Sequence, residues 1–204
     1  LIVAHHYVVN SGLMERVYQD PLAPRSLFLL VFGAWGKTGI NCFLMITGYF
    51  MCKSKITARK FIKLLAEVYF YRIIFYSVFA VMGYESLSIK HLIMLLLPVE
   101  AIQQNFTGCY LVFFLCIPFL NILIQNMTEK QHIHLIIWVS FIYIFLGTIP
   151  ITNVTMNYVS WYIVLYFIAS YFRMYPRPLF ENTKFWGWMA AVSFVISLVS
   201  IIVC

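Results

Sequence analysis

A succession of apolar runs, each close to the length of a membrane crossing and set apart by short polar segments, constrains this chain more than any other feature. A helix needs about 20 mainly apolar residues to cross a bilayer. Such runs lie at roughly 38–52, 62–83, 105–125, 133–151 and 157–173. The end of a further run covers 1–9, and a last one begins near Phe185. Residues 27–35 read as an apolar approach lying in the interface, and 89–97 as a short interfacial or re-entrant piece. Pro98, Pro118, Pro150 and the pair Pro176/Pro178 punctuate the series. Hydrophobic residues make up 63% of the chain and charged ones 10%. One soluble core of this size cannot hide that excess, because most residues of a small domain touch the surface. The expected fold is all-α: a polytopic transmembrane helix bundle of about six to seven spans, forming a single membrane-embedded domain over residues 1–204. Both ends lie inside apolar runs and read as cut mid-helix. The opening run has no basic region before it and is not a signal peptide.

The net charge of +7 raises nucleic acid as a partner, but the basic residues gather where membrane loops would be. Lys53, Lys55, Arg59, Lys60, Lys63, Lys130, Arg173, Arg177 and Lys184 fall on one side of the alternating spans. Arg16, Arg25, Lys37 and Lys90 fall on the other, and Arg72 lies within a span. The positive-inside rule then makes the 53–63 loop cytoplasmic and turns 10–37, 84–104 and 151–157 outward. Tyr7, Trp35, Tyr49, Tyr158, Trp161, Trp186 and Trp188 suit an interfacial aromatic belt.

Few residues can carry chemistry. Cys42, Cys52, Cys109, Cys116 and Cys204 have no metal-ligand spacing and read as small hydrophobes, so no metal is expected. His5 and His6 close the first run, either as interface residues or as a general base, since imidazole titrates near neutrality. Neighbours on a helix stand about 100° apart, so only one of the two faces the interior. Arg59, Lys60 and Lys63 lead into the next span but one. They are a topology anchor or a site for a phosphorylated cofactor entering from the cytoplasm. Glu67 lies four residues after Lys63, which fits an ion pair. Arg72 is an intramembrane charge, functional or snorkelling. Thr47-Gly48 permits close helix approach. The remaining polar vocabulary is Asn41, Asn105, Asn121 and Asn157. The sequons at Asn105, Asn126 and Asn153 are chance matches, and there is no Gly-rich phosphate loop or nucleophile elbow.

An ordered series of motifs resembles the integral-membrane acyltransferase family called acyltransferase family 3, especially members that modify bacterial surface glycans. Ile2-Val-Ala-His-His-Tyr7 resembles the end of that family's first span. Gly39-Ile-Asn-Cys-Phe-Leu-Met-Ile-Thr-Gly-Tyr-Phe50 resembles its second, which commonly ends Ser-Gly-Tyr. Residues 106–121, with Tyr110 and Pro118-Phe-Leu-Asn121, resemble an aromatic span ending Pro-Phe-Leu-Asn. Ser160-Trp-Tyr-Ile-Val-Leu-Tyr-Phe-Ile-Ala-Ser-Tyr-Phe-Arg173 resembles a later span. Thr47 stands where Ser is usual, Asn105 where Trp is common, and Ala169 where Gly is usual. The family's arginine upstream of the histidine would fall before residue 1, and its remaining spans after residue 204.

The resemblance implies O-acyl transfer, usually of acetyl from cytoplasmic acetyl-CoA, to a hydroxyl of a cell-surface or lipid-linked carbohydrate. The setting would be a bacterial inner (plasma) membrane. Carried over by position, His6 is the catalytic histidine, with His5 the second choice. Arg59, Lys60 and Lys63 sit where the family's basic residues approach the donor, and Arg72 is counted with them. The implied partners are a glycan acceptor and the lipid bilayer, without nucleic acid. A glycan flippase or polymerase-like protein would share the aromatic spans but needs no CoA site. An inactive relative is a further alternative.

Overall fold

The computed structural model describes residues 1–84, 88–89, 93, 106–149 and 157–203. Most of the 89–97 piece, Lys90, Pro98, Pro150, Asn105, the Asn153 sequon, and most of the outward segments 84–104 and 151–157 lie outside the described residues. Among the described residues the fold is all-helical, without a strand. Four helical stretches are long and apolar enough to cross a membrane: Pro24–Met51, Ala58–Val81, Phe106–Asn126 and Thr183–Ile201. They mark the chain as a membrane protein.

In chain order the helices are α1 (Ile2–Asn10), α2 (Leu13–Gln19), α3 (Pro24–Gly33), α4 (Gly36–Met51) and α5 (Ala58–Val81). There follow α6 (Phe106–Asn126), α7 (Glu129–Ser140), α8 (Tyr158–Met174), α9 (Pro178–Glu181) and α10 (Thr183–Val203). A six-residue π-helical stretch, Phe141–Leu146, continues α7. Most limits fall within a few residues of the apolar runs. The difference is at 27–35, which the sequence suggests as an interfacial approach and most of which lies in α3, within the Pro24–Met51 stretch; α2 precedes it. Only the turn Ala34–Trp35 separates α3 from α4.

Local sequence explains several ends. Thr57 caps α5, its hydroxyl accepting from the Lys60 amide at 3.4 Å. Gly83, at φ 77°, ends the same helix. There the Tyr84 amide reaches the Phe79 carbonyl and the Gly83 amide the Ala80 carbonyl, at 3.0 and 3.1 Å. This is a Schellman closure that needs left-handed backbone. Thr128 and Gln131 cap α7 reciprocally. The apolar α6 runs on through Pro118, as membrane helices tolerate when neighbours re-satisfy the backbone.

The chain divides into two compact units, Leu1–Thr47 with Phe172–Cys204, and Gly48–Tyr171. In the first, Val8, Val17 and Leu29 form a core joining α1, α2 and α3. Trp35 stacks on Phe194 of α10 at 4.8 Å. In the second, α6 and α8 supply the interior. Phe113 meets Tyr162 and Tyr166 edge-on at 6.0 and 5.6 Å, the arrangement aromatic quadrupoles favour. Half of the apolar window of α6 is buried, and none of that of α5 or α10. A helix that is apolar and exposed all round belongs in lipid.

Candidate functional site

The first unit holds His5 and His6. Three glycines at three-residue spacing, Gly33, Gly36 and Gly39, line the surface that receives α1. A Cβ built on Gly33 would lie 3.0 Å from the Val8 Cβ. On Gly36 it would lie 2.3 Å from the His5 Cγ, and on Gly39 3.1 Å from the Ile2 Cγ1. Residues 2, 5 and 8 of α1 therefore seat on glycines 39, 36 and 33 in antiparallel order. Glycine spacing of this kind lets helix backbones approach closely. It also decides which histidine turns inward, because residue 5 is in that register and residue 6 is not.

The two rings differ chemically as a result. The partly buried His5 places Nδ1 2.7 Å from the Gly33 carbonyl. A carbonyl only accepts, so Nδ1 carries the proton and neutral His5 keeps its basic lone pair on Nε2. His6 is exposed, and its Nδ1 accepts from the Asn10 amide nitrogen at 3.2 Å. Neutral His6 thus carries its proton on Nε2. The first arrangement orients the ring and leaves its lone pair on Nε2, which is what a general base requires. In the second, the lone pair is already engaged.

The second unit holds the basic residues. Lys60 Nζ donates to Ser54 Oγ and to the Lys55 carbonyl, both at 2.8 Å. Lys63 lies 3.9 Å from Glu67, a long and exposed pair that contributes little. Arg59 is exposed and makes no polar contact among the described residues. Arg72 is half-buried farther along α5. Arg59, Lys60 and Lys63 thus share the first turns of one capped helix, with Arg72 more than two turns on.

No family model matches the chain, and neither a curated protein nor a solved structure matches it.

Sequence reasoning left two polar clusters of the second unit unassembled. Asn121 is buried on α6 and fully engaged. Its Nδ2 donates to the carbonyls of Met51 and Ser54 at 3.0 and 3.2 Å, and its Oδ1 accepts from the Tyr166 hydroxyl at 2.6 Å. His132 on α7 is wholly buried. Its Nε2 donates to the Phe167 carbonyl at 3.0 Å, and Ser170 Oγ donates to the same carbonyl at 2.9 Å. Ser170 lies 3.4 Å from that ring nitrogen. The pair is not a nucleophile and its base, because the nitrogen facing the serine already carries its proton. It clasps α7 to α8, helped by Tyr171 donating to Glu129 at 3.0 Å. Asn121 sits in the Pro-Phe-Leu-Asn motif. His132 stands in an otherwise polar first turn, which hides it. Among the described residues no cluster of His, Cys, Asp or Glu is arranged to hold a metal.

Proposed function

We propose that this chain is a membrane-bound O-acyltransferase of the acyltransferase family 3 type. It moves an acetyl group from acetyl-CoA to a hydroxyl of a cell-surface or lipid-linked carbohydrate. The observation that carries the proposal is the state of His5, fixed through Nδ1 on Gly33 with Nε2 left basic. Sequence position ranks His6 first, and the hydrogen bond that orients His5 supports His5 as the base instead. The proposed setting is the bacterial inner membrane, with six to seven spans and the 53–63 loop on the cytoplasmic side. The four apolar helices and the loop charges support that reading.

The step balances as a simple acyl transfer. His5 Nε2 takes the proton of the sugar hydroxyl, whose oxygen attacks the thioester carbonyl carbon. A C–O bond forms and the C–S bond breaks. The departing CoA thiolate then takes the proton from the imidazolium, which restores the base. Arg59, Lys60 and Lys63 bind the donor's phosphates, with Arg72 beyond them. Guanidinium and ammonium groups are the usual ligands for such oxygens.

The test is the O-acetyl content of the host's surface polysaccharide by proton NMR, at matched protein levels. Loss with His5→Ala and retention with His6→Ala is expected. Loss with His6→Ala alone would return the role to His6. Unchanged acetylation in both variants would refute the transferase reading and move weight to a flippase-like or inactive protein.

A further inference from the structure

Resting on the donor assignment above, we propose that a buried relay, Tyr166–Asn121–Ser54, positions Lys60 to bind the phosphate of the donor. The relay begins where polarity is hardest to place. A carboxamide within an apolar helix is costly unless every group finds a partner. Asn121 finds all of its partners: both Nδ2 protons go to backbone carbonyls and Oδ1 takes the Tyr166 hydroxyl. Tyr166 is wholly buried and held edge-on by Phe113. Met51 is the last residue of α4, and a helix leaves its final carbonyls without helical partners. The Ser54 amide closes the turn on the Met51 carbonyl at 2.9 Å, and Asn121 reinforces it from a neighbouring helix with a second donor to that carbonyl and one to the carbonyl of Ser54.

That turn in turn holds the ammonium. Ser54 Oγ and the Lys55 carbonyl each accept from Lys60 Nζ at 2.8 Å. An ammonium has three donors. Two are spent on the turn, and the third is left on an exposed side chain that has already lost its rotamer freedom. Binding then avoids the cost of ordering a long flexible cation. Arg59, without a polar contact among the described residues, and Lys63, spanned only by its long pair to Glu67, lack this preset geometry. Tyr166 and Asn121 are positioning residues, acting on the donor only through Lys60.

The experiment compares CoA with pantetheine, which keeps the thiol arm and lacks the phosphates, by equilibrium binding to the chain in lipid nanodiscs. Lys60→Gln is expected to weaken CoA about tenfold, the loss of one charge-assisted hydrogen bond, and to leave pantetheine unchanged. Tyr166→Phe and Ser54→Ala should weaken CoA selectively by several-fold, while Lys130→Gln, an equal change of charge, should not. A purely structural relay would lower the yield of folded protein and leave the CoA-to-pantetheine ratio intact in what folds. That result overturns the proposal, as does a wild type that does not prefer CoA. If Tyr166→Phe does not accumulate, Ser54→Ala decides. The expected binding pattern without any acetyl transfer would refute the reaction and leave the relay standing.

Discussion

Replacing Gly36 by alanine tests the seat of His5 more sharply than removing the histidine. The new Cβ would stand 2.3 Å from the His5 Cγ, 2.5 Å from its Cβ and 2.7 Å from its Cδ2. Rotating the ring does not relieve this, because the His5 Cβ is fixed to the backbone of α1. Ordinary contact begins near 3.4 Å, so α1 must withdraw by about 1 Å at this point. Gly33 lies on the same side, so the 2.7 Å bond that sets the tautomer lengthens with it. Overpacking of this kind costs about 1–3 kcal/mol of stability. Misplacing a catalytic group by about 1 Å costs about 100-fold in rate.

Acetyl transfer per folded molecule is the readout. Gly36→Ala should fall about 100-fold, whereas Gly147→Ala and Gly187→Ala, whose added Cβ would meet nothing within 4 Å, should keep wild-type rates. The double variant His5→Ala/Gly36→Ala should be no slower than His5→Ala, because the glycine acts only through the ring. A Gly36→Ala protein with full activity would refute this account of the site. So would a further 100-fold loss in the double variant.

Three further outcomes follow from the packing. Gly48→Ala puts a methyl 2.8 Å from the Ala169 Cβ and 3.2 Å from the Tyr166 Cα, and should lower the thermal midpoint in detergent by an amount that Ala169→Gly restores only in part. Thr128→Ala removes the capping box of α7 and should cost about 1 kcal/mol by denaturant titration, without altering ligand binding. His132, outside the apolar crossings, is pushed below its ordinary value of 6.5 by burial, its bond to the Phe167 carbonyl acting the other way. Its neutral form is the one that folds. Stability should be full above about pH 6.5 and fall as the unfolded chain takes up a proton that the clasp beside Glu129 and Tyr171 resists. His132→Gln should flatten that acid limb in thermal unfolding measured against pH.

The crossings were legible because lipid demands long apolar helices, and α5, α6 and α10 are written as such. The stretch 10–37 was not. The seven-residue α2 is too short to show a span, and α3 extends the Pro24–Met51 crossing ahead of its apolar run; there Val17 and Leu29 pack against Val8. Sequence position ranks His6 above His5, yet the sequence carries a signal that favours His5 as the inward one. Gly33, Gly36 and Gly39 repeat every three residues, and only one histidine of an adjacent pair can share that register. The role of Asn121 had no such signal. Its carbonyl partners lie 70 and 67 residues away in the chain, and no local pattern encodes a contact of that separation.

The two polar side chains on which the functional reading depends have one physical origin. Gly33 is the last residue of α3 and Met51 the last of α4. The carbonyls at helix C-termini lack helical partners, and in an apolar surrounding each must find a donor. His5 supplies one at Gly33; at Met51 the Ser54 amide supplies one at 2.9 Å and Asn121 adds a second from a neighbouring helix. The tautomer of the proposed base and the placement of the proposed donor loop are thus consequences of where two helices stop. Moving either end by one residue would turn its carbonyl about 100° around the axis, away from the group it now holds. Insertion of one alanine between Gly33 and Gly36 would turn Gly36 and Gly39 by the same angle from the face that seats His5 and Ile2, and should disable His5 while leaving Lys60 and CoA binding intact.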